Sequence, residues 1–279
     1  VQNGTLSTYL KPNSISDASW ELPSGVTLTD MVIEALRPAD PKISYTAVDI
    51  DIHDYVANPI DGRLYILLDD DLIHLDARLQ KQIVDIETGI MGRSLAIDND
   101  NGRLLIGTED GSVLSRSLYD SSEIPSIRDP QSLPNSGIYA LEVDDYGTVW
   151  AAGNCSIHFK PIGEEVWSEY DYCNLNIETP SDMMIIGDSV YLATTNTGVH
   201  ILEYTTSSSS GSVSVSVDSQ TDWSTQNFLS SDQITDLEVV GNHLLIATND
   251  AGINRRDLNS QSWIATWSTN NWLASDQVH

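Results

Sequence analysis

ITDLEVVGNHLLIATNDAGI, from Ile234 to Ile253, reads as strand, tight turn, strand, tight turn. ITDLEVV and HLLIAT are apolar runs of strand length, and VGN and NDAG between and after them carry the residues that reverse a chain sharply. The same grammar recurs without a gap 54 positions earlier, as PSDMMIIGDSVYLATTNTGV from Pro180 to Val199. There Asp182 falls on Asp236, Gly187 on Gly241, Ala193 on Ala247, Thr194 on Thr248 and Gly198 on Gly252. A third copy, IYALEVDDYGTVWAAGNCSI (Ile138 to Ile157), sets Leu141, Glu142 and Val143 on Leu237, Glu238 and Val239. Two weaker copies precede it, LAIDNDNGRLLIGTEDGSV (Leu95 to Val113) and VANPIDGRLYILLDDDLIHL (Val56 to Leu75).

Each unit continues with a third alternating strand, such as GVHILEY from Gly198. Several close on a Trp-bearing segment: VWSEY at Val166, DWSTQ at Asp222, SWIATW at Ser262. Four short strands in a unit of about 40–45 residues is the blade period of a β-propeller. A single blade leaves both faces apolar, so blades must stack around a common axis. Helical periodicity is absent except for one turn's worth at Asp30 to Leu36. The expected fold is therefore an all-β propeller of five four-stranded blades, with six as the alternative. Repeats fall near 47–91, 92–136, 137–179, 180–230 and 231–274. Residues 275–279 start a further repeat, and 1–46 form a degenerate blade or a cap. The small residues ending each second strand belong where strands crowd toward the axis. The closing tryptophans belong in the wider gap between diverging blades, as core and not as ligand platforms.

Composition narrows the partners. Forty-one acids face 13 bases, giving a net charge of −28. Such a surface repels phosphate backbones and anionic membranes, so nucleic acid is not an expected partner. It suits salty water, cations or basic partners. No apolar run approaches the length of a membrane helix, so no direct membrane insertion is expected, and the opening at Val1 lacks the pattern of a signal peptide.

The segment Asp144-Asp-Tyr-Gly-Thr-Val-Trp-Ala-Ala-Gly153, with the loops NFLSSDQI (Asn227 to Ile234) and NWLASDQV (Asn271 to Val278), resembles the two-component-regulator propeller repeat. The likeness runs from about Ala47 to His279 and is best over the last three units. It implies an extracellular, cell-surface or periplasmic sensing module, without a catalytic residue set, carried by a longer polypeptide. The expected function is non-catalytic binding of a protein or carbohydrate ligand. A structural repeat of a surface or filament protein is the first alternative, and a lyase or glycoside hydrolase the second.

Site candidates follow from placement on a blade. Cys155 lies between second and third strands and Cys173 just after the fourth. Both connections leave a blade on the same side, so a disulfide is expected, and with it an oxidising compartment. Asn3 and Asn154 begin glycosylation sequons. TTSSSSGSVSVSVDS, Thr205 to Ser219, reads as a flexible surface loop open to O-glycosylation. No cofactor is expected. Calcium has one candidate, Asp98 and Asp100 in DNDNG, where Thr108 replaces the glutamate that a calcium loop requires. No nucleophile, P-loop or zinc motif occurs. Glu142 and Glu238, at equivalent points of two first strands, form the one repeat-positioned glutamate pair that sugar chemistry could use. His158 and His200 share a place on third strands.

Overall fold

A computed structural model describes residues 52–68, 71–75, 81–85, 91–120, 126–127, 133, 137–172, 179–209, 212–271, 273 and 275–278. The segment 1–46, with the helical turn expected within it and Asn3, and Cys173 lie outside the described residues. The strands form five antiparallel sheets in a ring, each a meander of four neighbours in chain order. Blade one holds β1 (Asp54–Ala57), β2 (Leu64–Leu67), β3 (Asp71–Leu75) and β4 (Lys81–Asp85). Blade two holds β5 (Gly92–Asp98), β6 (Arg103–Thr108), β7 (Val113–Ser117) and β8 (Ser126–Ile127). Blade three holds β9 (Ala140–Val143), β10 (Val149–Ala152), β11 (Ser156–Lys160) and β12 (Ser168–Asp171). Blade four holds β13 (Pro180–Ile186), β14 (Ser189–Thr194), β15 (Val199–Ser209) and β16 (Ser212–Trp223). Blade five holds β17 (Ile234–Val240), β18 (His243–Thr248), β19 (Ile253–Asp257) and β20 (Trp263–Trp267). The six-blade alternative gives way to five, and no described helix is long and apolar enough to cross a membrane.

The core lies between blades, as sheets that are apolar on both faces require. Leu67, Leu72, Leu95, Leu104 and Ile106 join blades one and two; Leu105, Val113, Leu141 and Ala151 join two and three. Trp150, Phe159, Met183, Leu192 and Tyr204 join three and four; Tyr191, Trp223, Leu237 and Ile246 join four and five. Burying each large aliphatic side chain contributes about 1.5–3 kcal/mol, so these seams dominate cohesion.

Near the axis the small residues have a measurable reason. A Cβ on Gly107 would stand 2.4 Å from Ser94 Oγ and 2.6 Å from Ile138 Cγ2, where blade three begins. The threonines ending second strands hold the next turn. Thr108, Thr194 and Thr248 donate through Oγ1 to the carbonyls of Ser112, Gly198 and Gly252 at 2.8, 2.9 and 2.8 Å. Gly198 and Gly252 adopt φ of +87° and +84°, and a Cβ there would lie 2.1 and 2.0 Å from the carbonyl oxygens of Trp223 and Trp267. Only glycine fits.

One expectation changes and another is refined. The Thr205–Ser219 segment is not a loop: β15 and β16 stay paired to Ser209↔Ser212 and form a two-stranded ribbon beyond the blade. Its Ser/Val alternation supports a strand as well as a linker, because β-branched residues at period two suit a pleated backbone. Among the described residues the most buried indole is Trp150 of the second strand β10, whereas the closing Trp167 and Trp263 are partly buried and pack against the seams between blades. Trp223 does fill a gap between blades, packing on Tyr191 at 5.5 Å and Trp263 at 5.0 Å.

Candidate functional site

The first strands β1, β5, β9, β13 and β17 wall the axis. Strand pairing makes Asp54, Ser94, Ala140, Asp182 and Asp236 equivalent, opposite Leu67, Gly107, Ala152, Ala193 and Ala247. Three of the five hold the next blade. Leu95 N–H donates to Asp54 Oδ2 at 2.6 Å, Ser94 Oγ donates to the Ile138 carbonyl at 3.0 Å, and Leu237 N–H donates to Asp182 Oδ2 at 2.8 Å. A short polar side chain beside the axis thus satisfies a backbone group that the neighbouring sheet leaves unpaired.

Glu142 and Glu238 join these aspartates, so five carboxyls gather at the axis. Burial pushes Glu142 up to about 8, with the charges of Asp54 and Glu238 adding to it. Burial likewise takes Asp54 to about 7, against the opposing pull of the Leu95 and Tyr55 N–H groups. Asp182 is raised by burial and then by Asp236; Asp236 by burial; Glu238 by burial and then by Asp236. Asp182 and Asp236 lie close enough for each to bear on the other's protonation, so the pair holds on to a proton more readily than free carboxyls do. All five keep some surface open. Sequence reasoning singled out Glu142 and Glu238 and missed that Asp54, Asp182 and Asp236 meet them. The signal was present in the Asp182/Asp236 match, but only the ring brings the strands face to face.

The other candidates separate. Asp98 is buried and accepts from Asn101, through the backbone N–H at 3.1 Å and the side-chain amide at 3.1 and 2.9 Å, which is the geometry of a hairpin turn. Asp100 is exposed beside it. Among the described residues no group of three or more His, Cys, Asp or Glu is arranged to hold a metal ion. Asn154 is exposed in the β10–β11 turn. The next residue, Cys155, accepts the N–H of Tyr172 at 2.8 Å, so the chain directly before Cys173 runs alongside it.

Two arrangements escaped the sequence. His200 Nδ1 lies 2.7 Å from Asp222 Oδ1 and its Nε2 lies 2.9 Å from Thr197 Oγ1. Thr197 N–H and Oγ1 in turn reach Thr194 Oγ1 at 3.0 and 2.8 Å. This acid–histidine–hydroxyl chain is spent on tying the fourth strand and the Thr194 turn to the third strand. In blade three the equivalent His158 bonds Ser156 Oγ at 2.9 Å, and burial lowers its pKa. Asp144 is the second. Its Oδ1 accepts from the backbone of Tyr146 and Thr148 at 3.0 and 2.7 Å, and its Oδ2 accepts from Trp150 Nε1 at 3.0 Å and Tyr204 OH at 3.1 Å. One carboxylate therefore shapes a turn, fixes the buried indole and clasps blade four.

Neither a protein-family model nor a curated protein sequence matches the chain. Solved structures do match in shape. The WD40 β-propeller domain of Doa1 is 16% identical with a TM-score of 0.54, over 78% of this chain and 69% of that one. U3-55K is 11% identical with a TM-score of 0.56, over 77% and 64%. A nidogen/laminin complex holds a chain 9% identical with a TM-score of 0.58, over 78% and 80%. At these identities what is shared is the β-propeller fold, with WD40 propellers among its neighbours.

Proposed function

We propose that this chain is a non-catalytic binding module that works outside the cytoplasm, recognising a protein or a glycan as the sensing part of a longer polypeptide. One observation carries the reading. Polar groups beside the axis and on the third strand are occupied in holding blades and turns: Asp54 and Asp182 bond the next blade's backbone, and His200 is bonded at both ring nitrogens. The resemblance to the two-component-regulator repeat supports it, as do propeller neighbours such as the one solved within a nidogen/laminin complex. The run of Tyr172 beside Cys155 supports the Cys155–Cys173 disulfide and hence the oxidising compartment. Mass spectrometry should find two hydrogens gained on reduction; no gain would remove that support.

A second reading has one observation in its favour. Glu142, raised to about 8 and electrostatically coupled to Glu238, is the type of protonated acid that a glycoside hydrolase or lyase uses. The test is a parallel screen of glycan and extracellular-protein arrays for binding and of polysaccharides for cleavage. Binding without cleavage is expected. Cleavage that disappears in the Glu142→Gln, Glu238→Gln protein would overturn the non-catalytic assignment.

A further inference from the structure

In a four-stranded meander the first and third turns leave on one side and the second turn on the other. The first-and-third side has an unusual surface here. Ile60, Tyr119 and Tyr146, in those turns of blades one, two and three, are 69, 73 and 50% exposed. Ile162 lies exposed among them. These residues form one arc. Arg63 Nη1 donates to the Leu118 carbonyl at 2.7 Å, joining the turn of Ile60 to that of Tyr119. The ring of Tyr119 lies over Gly102, so close that a Cβ there would meet its Cε2 at 2.5 Å. Ile162 covers Gly147 in the same way, with Asp100 of blade two beside that glycine. Tyr146 OH then donates to Asp188 of blade four at 3.2 Å.

Charge decides what such an arc accepts. Turn residues 58–63, 99–102, 118–120, 144–148, 161–167 and 187–188 hold eight acids and one base. The base, Arg63, is held by Asp61 at 3.2 Å. The acids Asp100, Asp145 and Asp188 are exposed and flank the aromatic rings. The negative charge of Asp188, and after it that of Asp144 and Asp145, raises the Tyr146 phenol. On the opposite side, acids of the repeated loops are used internally: Asp232 and Asp276 each take the backbone and hydroxyl donors of Thr225 and Thr269.

From this juxtaposition we propose that the arc of Ile60, Tyr119, Ile162 and Tyr146 docks a basic polypeptide segment whose lysine or arginine side chains alternate with apolar ones. The aliphatic side chains cover the exposed apolar surface, and the cations sit over the tyrosine faces beside the carboxylates. Phosphate-bearing partners are repelled by the same field. The proposal rests on the binding-module reading and adds the face and the chemistry of the partner.

The experiment titrates a fluorescein-labelled nonapeptide of alternating lysine and leucine into the full chain at physiological salt, where exposed charges are screened beyond about 8 Å. The Tyr119→Ser, Tyr146→Ser protein and the Asp100→Asn, Asp145→Asn protein should each bind at least about tenfold more weakly, a factor fitting one or two lost contacts. The Asp110→Asn, Asp250→Asn protein, which loses the same charge from the opposite side, should stay within about twofold on the same scale. A benzophenone version of the peptide should cross-link to residues 58–63, 118–120 or 144–148, a readout independent of any variant's stability. Equal loss in the opposite-side control, cross-links confined to the other face, or no binding by the unmodified chain would overturn the proposal. A positive glycan or protein array beside any of those results leaves the binding-module reading standing, so the two failures are distinguishable.

Discussion

Raising the pH from 6.5 to 8.5 should destabilise this propeller, and Glu142→Gln should remove most of the effect. Glu142 and Asp54 have native values of about 8 and about 7, against ordinary values of 4.5 and 3.8. A carboxyl raised in the native state binds its proton more tightly folded than unfolded. Its stabilisation is therefore complete below the unfolded value and is lost as pH rises through the native one. Across this interval the linkage relation gives losses of about 1.9 kcal/mol for Glu142 and about 0.8 kcal/mol for Asp54. His158, held neutral by burial, has the opposite sign and offsets at most about 0.4 kcal/mol, because its unfolded form is already half deprotonated at pH 6.5. Both acids keep some surface open to solvent, and solvent screening reduces the net to about 1 kcal/mol. For a chain of this size that corresponds to a melting temperature lower by about 2–4 °C at the higher pH. Thermal unfolding followed by the fluorescence of the seven tryptophans measures it. Glu142→Gln should lose about two-thirds of the drop and Asp54→Asn a smaller share, in proportion to the two linkage values. A flat or rising profile in the unmodified protein, or the same drop in the Glu142→Gln protein, would refute the assignment of these protons to the axial acids.

Asp144→Ala should be among the most destabilising single changes. It strands Trp150 Nε1 in a closed seam and leaves Tyr204 OH only the Gly187 carbonyl at 3.4 Å, at a cost of about 2 kcal/mol or more in urea unfolding, with Asp144→Asn milder because one oxygen remains. A loss below about 1 kcal/mol would mean that water replaces the carboxylate there. Gly252→Ala and Gly241→Ala both place alanine at positive φ, yet only the first meets the Trp267 carbonyl, whereas nothing lies within 4 Å of the second. The first should therefore cost more than about 2 kcal/mol and the second about 1 kcal/mol by denaturant titration; equal effects would remove the steric argument.

Local chemistry makes the blade legible in the sequence. Turn residues at fixed offsets, small residues ending second strands and strand-length apolar runs each act over a few neighbours, and each recurs at the blade period. The TNTG and NDAG turns fold as read, since threonine hydroxyl, glycine φ and the facing carbonyl are all set within one sheet and its following loop. The SVSVSV ribbon was misjudged for a related reason. Serine-rich composition indicates a linker, while pairing to Thr205–Ser209 lies with the partner strand and not with composition.

What remained hidden was contact between strands far apart in sequence. Asp54 and Leu95, Asp144 and Tyr204, and Asp182 and Leu237 are 41, 60 and 55 residues apart, and no local pattern records that they meet. The sequence alone determined that this chain builds blades, because period-two burial and turn stereochemistry are short-range properties of the residues themselves. Only the closed packing of those blades decided which acids share the axis, which carboxylate clasps a neighbouring sheet and which aromatic rings stay in solvent, because proximity around a ring depends on how the sheets stack.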